Sequence, residues 1–200
     1  MTKKEKEACE SMAIECPSCS NQAIASEVEE KVPVFGTVLI SSIACNKCGF
    51  KLSEVMPTAE HEPTRYTIKV SDVKDLETKV IKSSTTTLRI PELGVLIEPS
   101  PTAEGYFTNI EGVLKRLEDV AKKMSVKTNN DQSDEARLAR KELARFTETR
   151  KGGINFTLIL ECPFGSGALI GAKVKKEELD KKQLEKLKEK VKYLDEDIEE

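Results

Sequence analysis

Alternating apolar and polar residues run through the middle of the chain, and this pattern indicates strands with one buried face. Turn residues separate the alternating stretches, as at the Pro163–Gly167 segment. Many short strands divided by turns favour a β-sandwich or barrel. The sequence therefore predicts a mainly β domain over residues 64–172. Its predicted strands are 66–70, 76–81, 85–91, 94–99, 154–161 and 168–170.

A helical pattern interrupts these strands. Apolar residues recur at spacings of three and four between Ile110 and Met124, and a second such stretch covers 133–149. Thr108 and Glu111 have the spacing of a capping box at the start of the first helix. The sequence predicts a helical hairpin at about 108–150, which projects from the β domain, covers an open end of it, or does both.

The last segment, residues 173–200, is rich in charge and predicts one long helix. Its apolar positions follow the spacing of a coiled-coil seam. We expect either self-association through this seam or docking of the helix on the chain's own β domain. The seam consists of Leu184, Leu187, Val191 and Leu194.

The N-terminal part contains two stretches with strand character, 37–44 and 50–55, the first of them rich in β-branched residues. The charged segment 27–33 predicts a loop. Two prolines in 56–63 indicate a domain boundary, where His61 is expected to be a solvated side chain.

Two Cys-x-x-Cys pairs lie at the centre of this N-terminal part: Cys16, Cys19, Cys45 and Cys48. Each pair places two thiols on one tight turn, and two such turns supply the tetrahedral sulfur set that zinc prefers. A redox pair would need one such motif, and four thiolates leave no open position for a catalytic water. The sequence therefore predicts a structural zinc ribbon over residues 13–55, with Zn²⁺ held by the four thiolates.

Composition limits the function further. Charged residues make up 34% of the 200 residues, aromatic residues 4%, and the formal net charge is −3. An acidic chain argues against a main role in neutralising phosphates, and no apolar run is long enough for a membrane span. The polar start and the free thiols predict a cytoplasmic protein without a secretory leader. Cys9, which has no partner at ligand spacing, is expected to be a lone thiol.

Four stretches together resemble the ZPR-type zinc-finger family in its single-module, archaeal-like form. They are FGTVLISSIACNKCG at 35–49, TLRIPEL at 87–93, GYFTNIEG at 105–112 and FTLIL at 156–160. The resemblance implies a zinc ribbon joined to a double-stranded β-helix that carries a helical hairpin. It also implies the four cysteines as zinc ligands. Cys162 and Gly167 stand where the family commonly has Asp and Ser.

The same resemblance implies a partner, because eukaryotic relatives bind translation elongation factor one-alpha and assist its folding. We therefore expect a protein-binding module with chaperone function, with contacts on the hairpin and around Gly49 and Phe50. The alternative is a nucleic-acid-binding ribbon associated with translation or transcription, but 13–54 carries three lysines against five glutamates. An enzyme is not expected, since His61 is the sole histidine and no phosphate-binding loop is present.

Overall fold

The computed structural model describes residues 10–100, 102–127, 134–153 and 155–191. Within these ranges the chain forms three antiparallel sheets and three α-helices. None of the helices in the described part of the chain has the length and apolar character needed to cross a membrane. The architecture is mainly β, as the alternating pattern predicts.

Four consecutive strands form the N-terminal sheet, in the order β1-β2-β3-β4. Their bounds are β1 (Glu10–Glu15), β2 (Gln22–Val32), β3 (Gly36–Ala44) and β4 (Lys51–Pro57). β3 and β4 correspond to the two predicted strands. The turn between β2 and β3 contains Val34 and Gly36, both with positive φ, at 70° and 101°.

The prediction of a loop over 27–33 is wrong, because most of this segment belongs to β2. β2 pairs with β3 from Ile24 opposite Ala44 to Val32 opposite Gly36. Its exposed charged side chains alternate with less exposed positions, which places them on the solvated face of the sheet. The many charged residues in 27–33 therefore reflect the solvent-exposed face of a strand and do not indicate a loop.

The remaining strands build the β domain from two sheets, one of five strands and one of three. Their orders are β12-β5-β10-β7-β8 and β11-β6-β9. Their bounds are β5 (Thr64–Val70), β6 (Lys79–Lys82), β7 (Thr87–Ile90), β8 (Val95–Ile97), β9 (Tyr106–Asn109), β10 (Phe156–Cys162), β11 (Ala168–Ile170) and β12 (Lys175–Glu178).

The core of the β domain is aliphatic. Strand alternation turns Leu158 and Leu160 of β10 inward, where both are fully buried, while Thr157 and Ile159 are only half-buried. Ile68, Ile81, Leu88 and Ile90 are buried from neighbouring strands in the same cluster. Burial of branched side chains is the main favourable contribution to such a fold.

The predicted strand over 76–81 begins later than expected. A short 3-10 helix, Val73–Glu77, precedes β6 and is capped by Asp72, whose carboxylate accepts a hydrogen bond from the Lys74 amide. Asp75 lies buried in this helix and accepts hydrogen bonds from the amides of Ser71 and Asp72. Local capping therefore replaces strand pairing in this segment.

The helical hairpin consists of α1 (Ile110–Lys127) and α2 (Asp134–Arg150). The predicted cap at Thr108 is wrong, because Thr108 belongs to β9. Asn109 caps α1 instead: its Oδ1 accepts a hydrogen bond of 2.9 Å from the Gly112 amide. The hairpin covers the β core, since Leu114 of α1 and Phe146 of α2 are buried in the same cluster as the strands.

The single helix predicted over 173–200 is wrong for its first part. β12 pairs there with β5, and α3 (Lys181–Glu189) follows, capped by Asp180. Leu187 and Val191 are 5% and 3% exposed, because α3 packs against the five-stranded sheet. These positions are therefore used within the chain and are not free for self-association. Leu194 lies outside the described residues.

The N-terminal sheet meets the β domain at its end remote from the cysteines. Val38 and Val55 are fully buried in the main core, and Gly105 lies so close to Val55 that a Cβ at residue 105 would be 2.6 Å from the Val55 nitrogen. The expectation for His61 is wrong, since its ring stacks on Phe35 with centroids 4.3 Å apart. This ring stack joins the segment 56–63 to the turn between β2 and β3.

Candidate metal centre

Each cysteine pair lies on a tight turn, here called a knuckle, and the two knuckles have matching backbone hydrogen bonds. The Cys16 amide donates to the Asn21 carbonyl at 2.7 Å, and the Cys45 amide donates to the Phe50 carbonyl at 2.9 Å. Both turns end with a left-handed residue four positions after the first cysteine: Ser20 at φ 56° and Gly49 at φ 77°. The repetition produces two equivalent turns that face each other.

The four predicted ligands meet between these knuckles. Cys16 Sγ lies 3.7 Å from Cys48 Sγ, and Cys19 Sγ lies 3.8 Å from Cys45 Sγ. All four sulfurs lie within 4.8 Å of one another. Each knuckle thus contributes two thiols to one cluster, as the spacing of the pairs predicts.

The distances fit a metal ion bound by sulfur. In a tetrahedral site with zinc–sulfur bonds of about 2.3 Å, neighbouring sulfurs are separated by about 3.8 Å. The two shortest separations in the cluster match this value. Cys16 and Cys45 are buried, Cys19 is half-buried, and Cys48 is exposed. Four thiols with this arrangement form a closed, soft donor set.

Hydrogen bonds from the knuckle backbones favour the thiolate forms of Cys19 and Cys45, whereas at Cys48 the Phe50 amide is outweighed by the neighbouring thiols and burial, which raise the pKa to about 11. The Asn21 backbone amide, together with the Asn21 side chain, lowers the pKa of Cys19 to about 6. The Cys48 amide, and further the Lys47 amide, lower the pKa of Cys45 against the opposing effect of desolvation. Donors around a metal site hold its ligands deprotonated and oriented. Asn21 was not predicted as part of the site, and only its position directly after the first knuckle could have indicated it.

Little apolar surface supports the cluster. Besides Cys16 and Cys45, Ala23 is the one further buried residue of this local group, and Ile14, Ile43 and Phe50 pack against it partly buried. Within the described residues, the cysteine outside the cluster is Cys162, which lies in the β domain, where burial raises the pKa of its thiol to about 12. Cys9 lies outside the described residues.

Two family models match the chain, and each covers one of the parts described above. The model described as the ZPR1 zinc-finger domain matches residues 9–63, and the model described as the ZPR1 jelly-roll domain matches residues 74–195. The chain belongs to the ZPR1 family. The family and the fold implied by the four sequence stretches are thereby confirmed, because a jelly roll is the double-stranded arrangement of strands expected for the β domain.

Two relatives of similar length are archaeal. The chain is 36% identical over 178 residues to a ZPR1-like protein of Pyrococcus horikoshii, covering 86% of this chain and 79% of that relative. It is 35% identical over 185 residues to a ZPR1-like protein of Methanocaldococcus jannaschii, covering 91% and 92%. The chain therefore matches most of the length of these two archaeal relatives.

A third relative is larger and carries a functional name. The zinc finger chaperone zpr1 of Schizosaccharomyces pombe is 35% identical over 158 residues, which cover 77% of this chain and 34% of that relative. The present chain thus matches about a third of the fission yeast protein. The present chain is thus a ZPR1-family zinc-finger protein with a four-cysteine cluster suited to a metal ion.

Proposed function

We propose that this ZPR1-family chain is a zinc-dependent protein-binding module that assists a client protein and catalyses no reaction itself. The observation that carries the proposal is the meeting of four thiols at tetrahedral spacing on two matched knuckles. A closed sulfur site stabilises a fold and presents a surface, whereas catalytic zinc needs an exchangeable position.

In this proposal Cys16, Cys19, Cys45 and Cys48 are the ligands of one zinc ion. Zinc suits the site because it accepts four thiolates without a preference for another geometry. The ion would join the turn after β1 to the turn after β3, two segments that share few apolar contacts. Its role is therefore structural, and the surface around Gly49 and Phe50 depends on it.

The proposed client is translation elongation factor one-alpha. Support comes from the resemblance of the four sequence stretches and from the chaperone name of the fission yeast relative. A chaperone needs apolar surface that can contact a client before its own core has formed. The hairpin offers such a surface at the place where the sequence predicts contacts.

An apolar groove of 490 Å³ lies between the hairpin and the segment that joins β7 to β8. Val120 and Met124 of α1 border it and are each 55% exposed. Leu93, Val95 and Phe146 line it more deeply, while Glu142 and Arg145 provide charge at its edge. A groove of this kind suits an apolar segment of a client, such as one side of an amphipathic helix.

The metal part of the proposal is tested by zinc analysis of the purified chain. We expect one zinc per chain in the wild type and loss of zinc in Cys48→Ser, whose side chain is exposed and whose replacement adds no strain. Cys9→Ser is the matched control and should retain one zinc. A wild-type zinc content well below one per chain would contradict the proposal.

The client part is tested by direct binding of the zinc-loaded chain to purified elongation factor one-alpha. Val120→Asp should weaken binding by about tenfold, because a buried contact would then contain an unpaired charge. Val73→Asp is the control: Val73 is 58% exposed and does not line the groove. Equal effects of the two variants would exclude the groove as the contact surface, and the absence of any binding by the wild type would exclude this client.

A further inference from the structure

The helix α3 ends beside the hairpin groove that the proposed function assigns to a client. The chain enters α3 next to the start of β5, since the Leu179 amide donates to the Pro63 carbonyl at 3.2 Å. The helix crosses the outer face of the five-stranded sheet and reaches the β8 edge, where Lys190 is ion-paired with Glu98. Val191, which is 3% exposed, is the last described residue. The chain therefore leaves the described structure at the β8 edge.

The strand β8 also forms one wall of the groove. Val95 of β8 lines the 490 Å³ groove, and Glu98 follows it three residues later. Three extended residues span about 10 Å, so the ion pair at the end of α3 lies about one such span from the groove wall. Leu96 lies on this path and is 52% exposed, although it is a large apolar residue.

Residues 192–200, here called the tail, continue the chain from this point and are long enough to reach the groove. These nine residues span about 30 Å when extended and about 13 Å as a helix. Both lengths exceed the span along β8 from Glu98 to Val95. The groove is therefore within reach of the tail without any change in the position of α3.

The apolar residues of the tail suit the groove. They are Tyr193, Leu194 and Ile198, and the last two are four positions apart. This spacing groups side chains on one side of a helical turn. The groove offers matching apolar side chains, of which Val120 and Met124 are each 55% exposed. Covering these side chains removes apolar surface from water, which favours the contact.

Charge favours the same contact. The tail contains five carboxylates and one lysine. Lys122 and Lys123 are exposed on the part of α1 that borders the groove. Glu142, which lines the groove, is ion-paired with Arg145 at 3.5 Å, so it opposes an acidic segment only weakly. Opposite charges at the edge of the groove therefore add to the apolar contact.

We propose that the tail binds the hairpin groove of its own chain and competes there with the client. This inference rests on the proposed function, because it treats the same groove as the client site. A tether of this length gives an effective concentration in the millimolar range, so a contact that is weak between separate molecules is well populated within one chain. A tail that covers the groove about four-fifths of the time weakens the apparent affinity for the client about fivefold.

Methyl NMR of the full zinc-loaded chain tests the contact without a client. The chain has four methionines, of which Met124 lines the groove, while Met12 and Met56 are exposed on the N-terminal sheet. Leu194→Ser combined with Ile198→Ser removes apolar contacts of the tail. This tail variant should shift the Met124 methyl signal and leave the Met12 and Met56 signals unchanged.

Val34→Ser is the matched control, because Val34 is an exposed apolar residue in the turn between β2 and β3. It should leave the Met124 signal in place. An unchanged Met124 signal in the tail variant would overturn the proposal. A wild-type Met124 signal that moves with protein concentration would also overturn it, because the occupant would then be a second copy of the chain.

Binding of purified elongation factor one-alpha to the same proteins tests the competition. The tail variant should bind about fivefold more tightly than the wild type, and Val34→Ser should bind within about twofold of it. Equal affinities of the wild type and the tail variant would overturn the competition. Failure of all three to bind would exclude this client, while the Met124 signal would still decide whether the tail occupies the groove.

Discussion

The two ends of the N-terminal sheet are stabilised by different means. At the cysteine end, the local buried group is Cys16, Ala23 and Cys45, so the thiol cluster replaces a hydrophobic core. At the other end, Val38 and Val55 are fully buried in the large aliphatic core that they share with the β domain. One sheet is therefore joined by a four-thiol cluster at one end and by apolar packing at the other.

This contrast follows from size. Modules of fewer than about 40 residues seldom bury enough apolar surface to fold without a metal or a disulfide. The β domain buries enough apolar surface without a metal or a disulfide. Its two sheets and the hairpin enclose one continuous apolar cluster that includes Ile68, Leu114 and Leu158. The comparison predicts that perturbing one region should leave the other largely intact.

Removing a cysteine ligand is expected to have the largest effect. Cys45→Ser should abolish zinc binding and unfold the knuckle end of the sheet, because a structural zinc contributes apparent free energies of about 10 to 16 kcal/mol. Amide hydrogen exchange should show lost protection in β1 and in the first half of β2. Protection of β10 should stay near the wild-type level; its loss would show that the two regions unfold together.

A cavity in the β core is expected to have the next largest effect. Leu158→Ala removes a fully buried side chain and should reduce the free energy of unfolding by about 2 to 5 kcal/mol, measured by urea denaturation. The folded variant should still contain one zinc per chain. Zinc loss under native conditions would contradict the independence of the two ends.

Lowering the pH should destabilise the β domain, because the carboxylate of Asp75 then becomes protonated. A hydrogen bond from Lys173, and further the amides of Ser71 and Asp72, lower the pKa of Asp75 in the folded state. The stabilisation is therefore complete above the unfolded pKa of about 4 and is lost as pH falls through the lower folded value. Asp75→Asn should cost about 1 to 3 kcal/mol at neutral pH and progressively less in acid.

Urea denaturation of wild type and Asp75→Asn at several pH values measures this difference. Zinc release in acid affects both proteins equally, because the thiolates are protonated in both. The difference between the two curves thus isolates the carboxyl group. A difference that stays constant down to the lowest pH would contradict the assigned role of the ion pair.

The helix cap should have the smallest effect. Asn109→Ala removes the side chain that accepts from the Gly112 amide and should cost about 1 kcal/mol, whereas Asn109→Asp should retain the cap. Thermal unfolding with matched zinc content distinguishes the two variants. Equal stability of the alanine and aspartate variants would show that Asn109 does not stabilise α1.

The metal centre was predictable from sequence because its geometry is local. Each Cys-x-x-Cys pair determines its own knuckle, and a glycine, Gly49, stands directly after the second pair at the left-handed position. Only Ser20, its counterpart in the first knuckle, and the donor Asn21 carried no clear signal. The helical hairpin and the strands β3 to β8, β10 and β11 were also predictable, since alternation and helical periodicity are properties of short segments, whereas β1, β2, β9 and β12 were not predicted.

The errors arose where long-range contacts decide the structure. Residues 27–33 form a strand because β3 pairs with them, and the segment before α3 forms β12 because β5 presents a free edge. The His61 ring stacks on Phe35, which lies in the turn between β2 and β3 and is distant in sequence. None of these partners can be read from the segment itself.

By itself, therefore, the sequence determined the set of four thiols, the mainly β class and the aliphatic composition of the core. Each of these features depends on residues that are close in the chain or on composition alone. Only the tertiary structure decided that α3 covers its own sheet and that Arg65, Arg89 and Glu161 meet at one pocket. These residues lie on three strands that the fold places side by side, and pairing across such distances depends on the packing of the whole core.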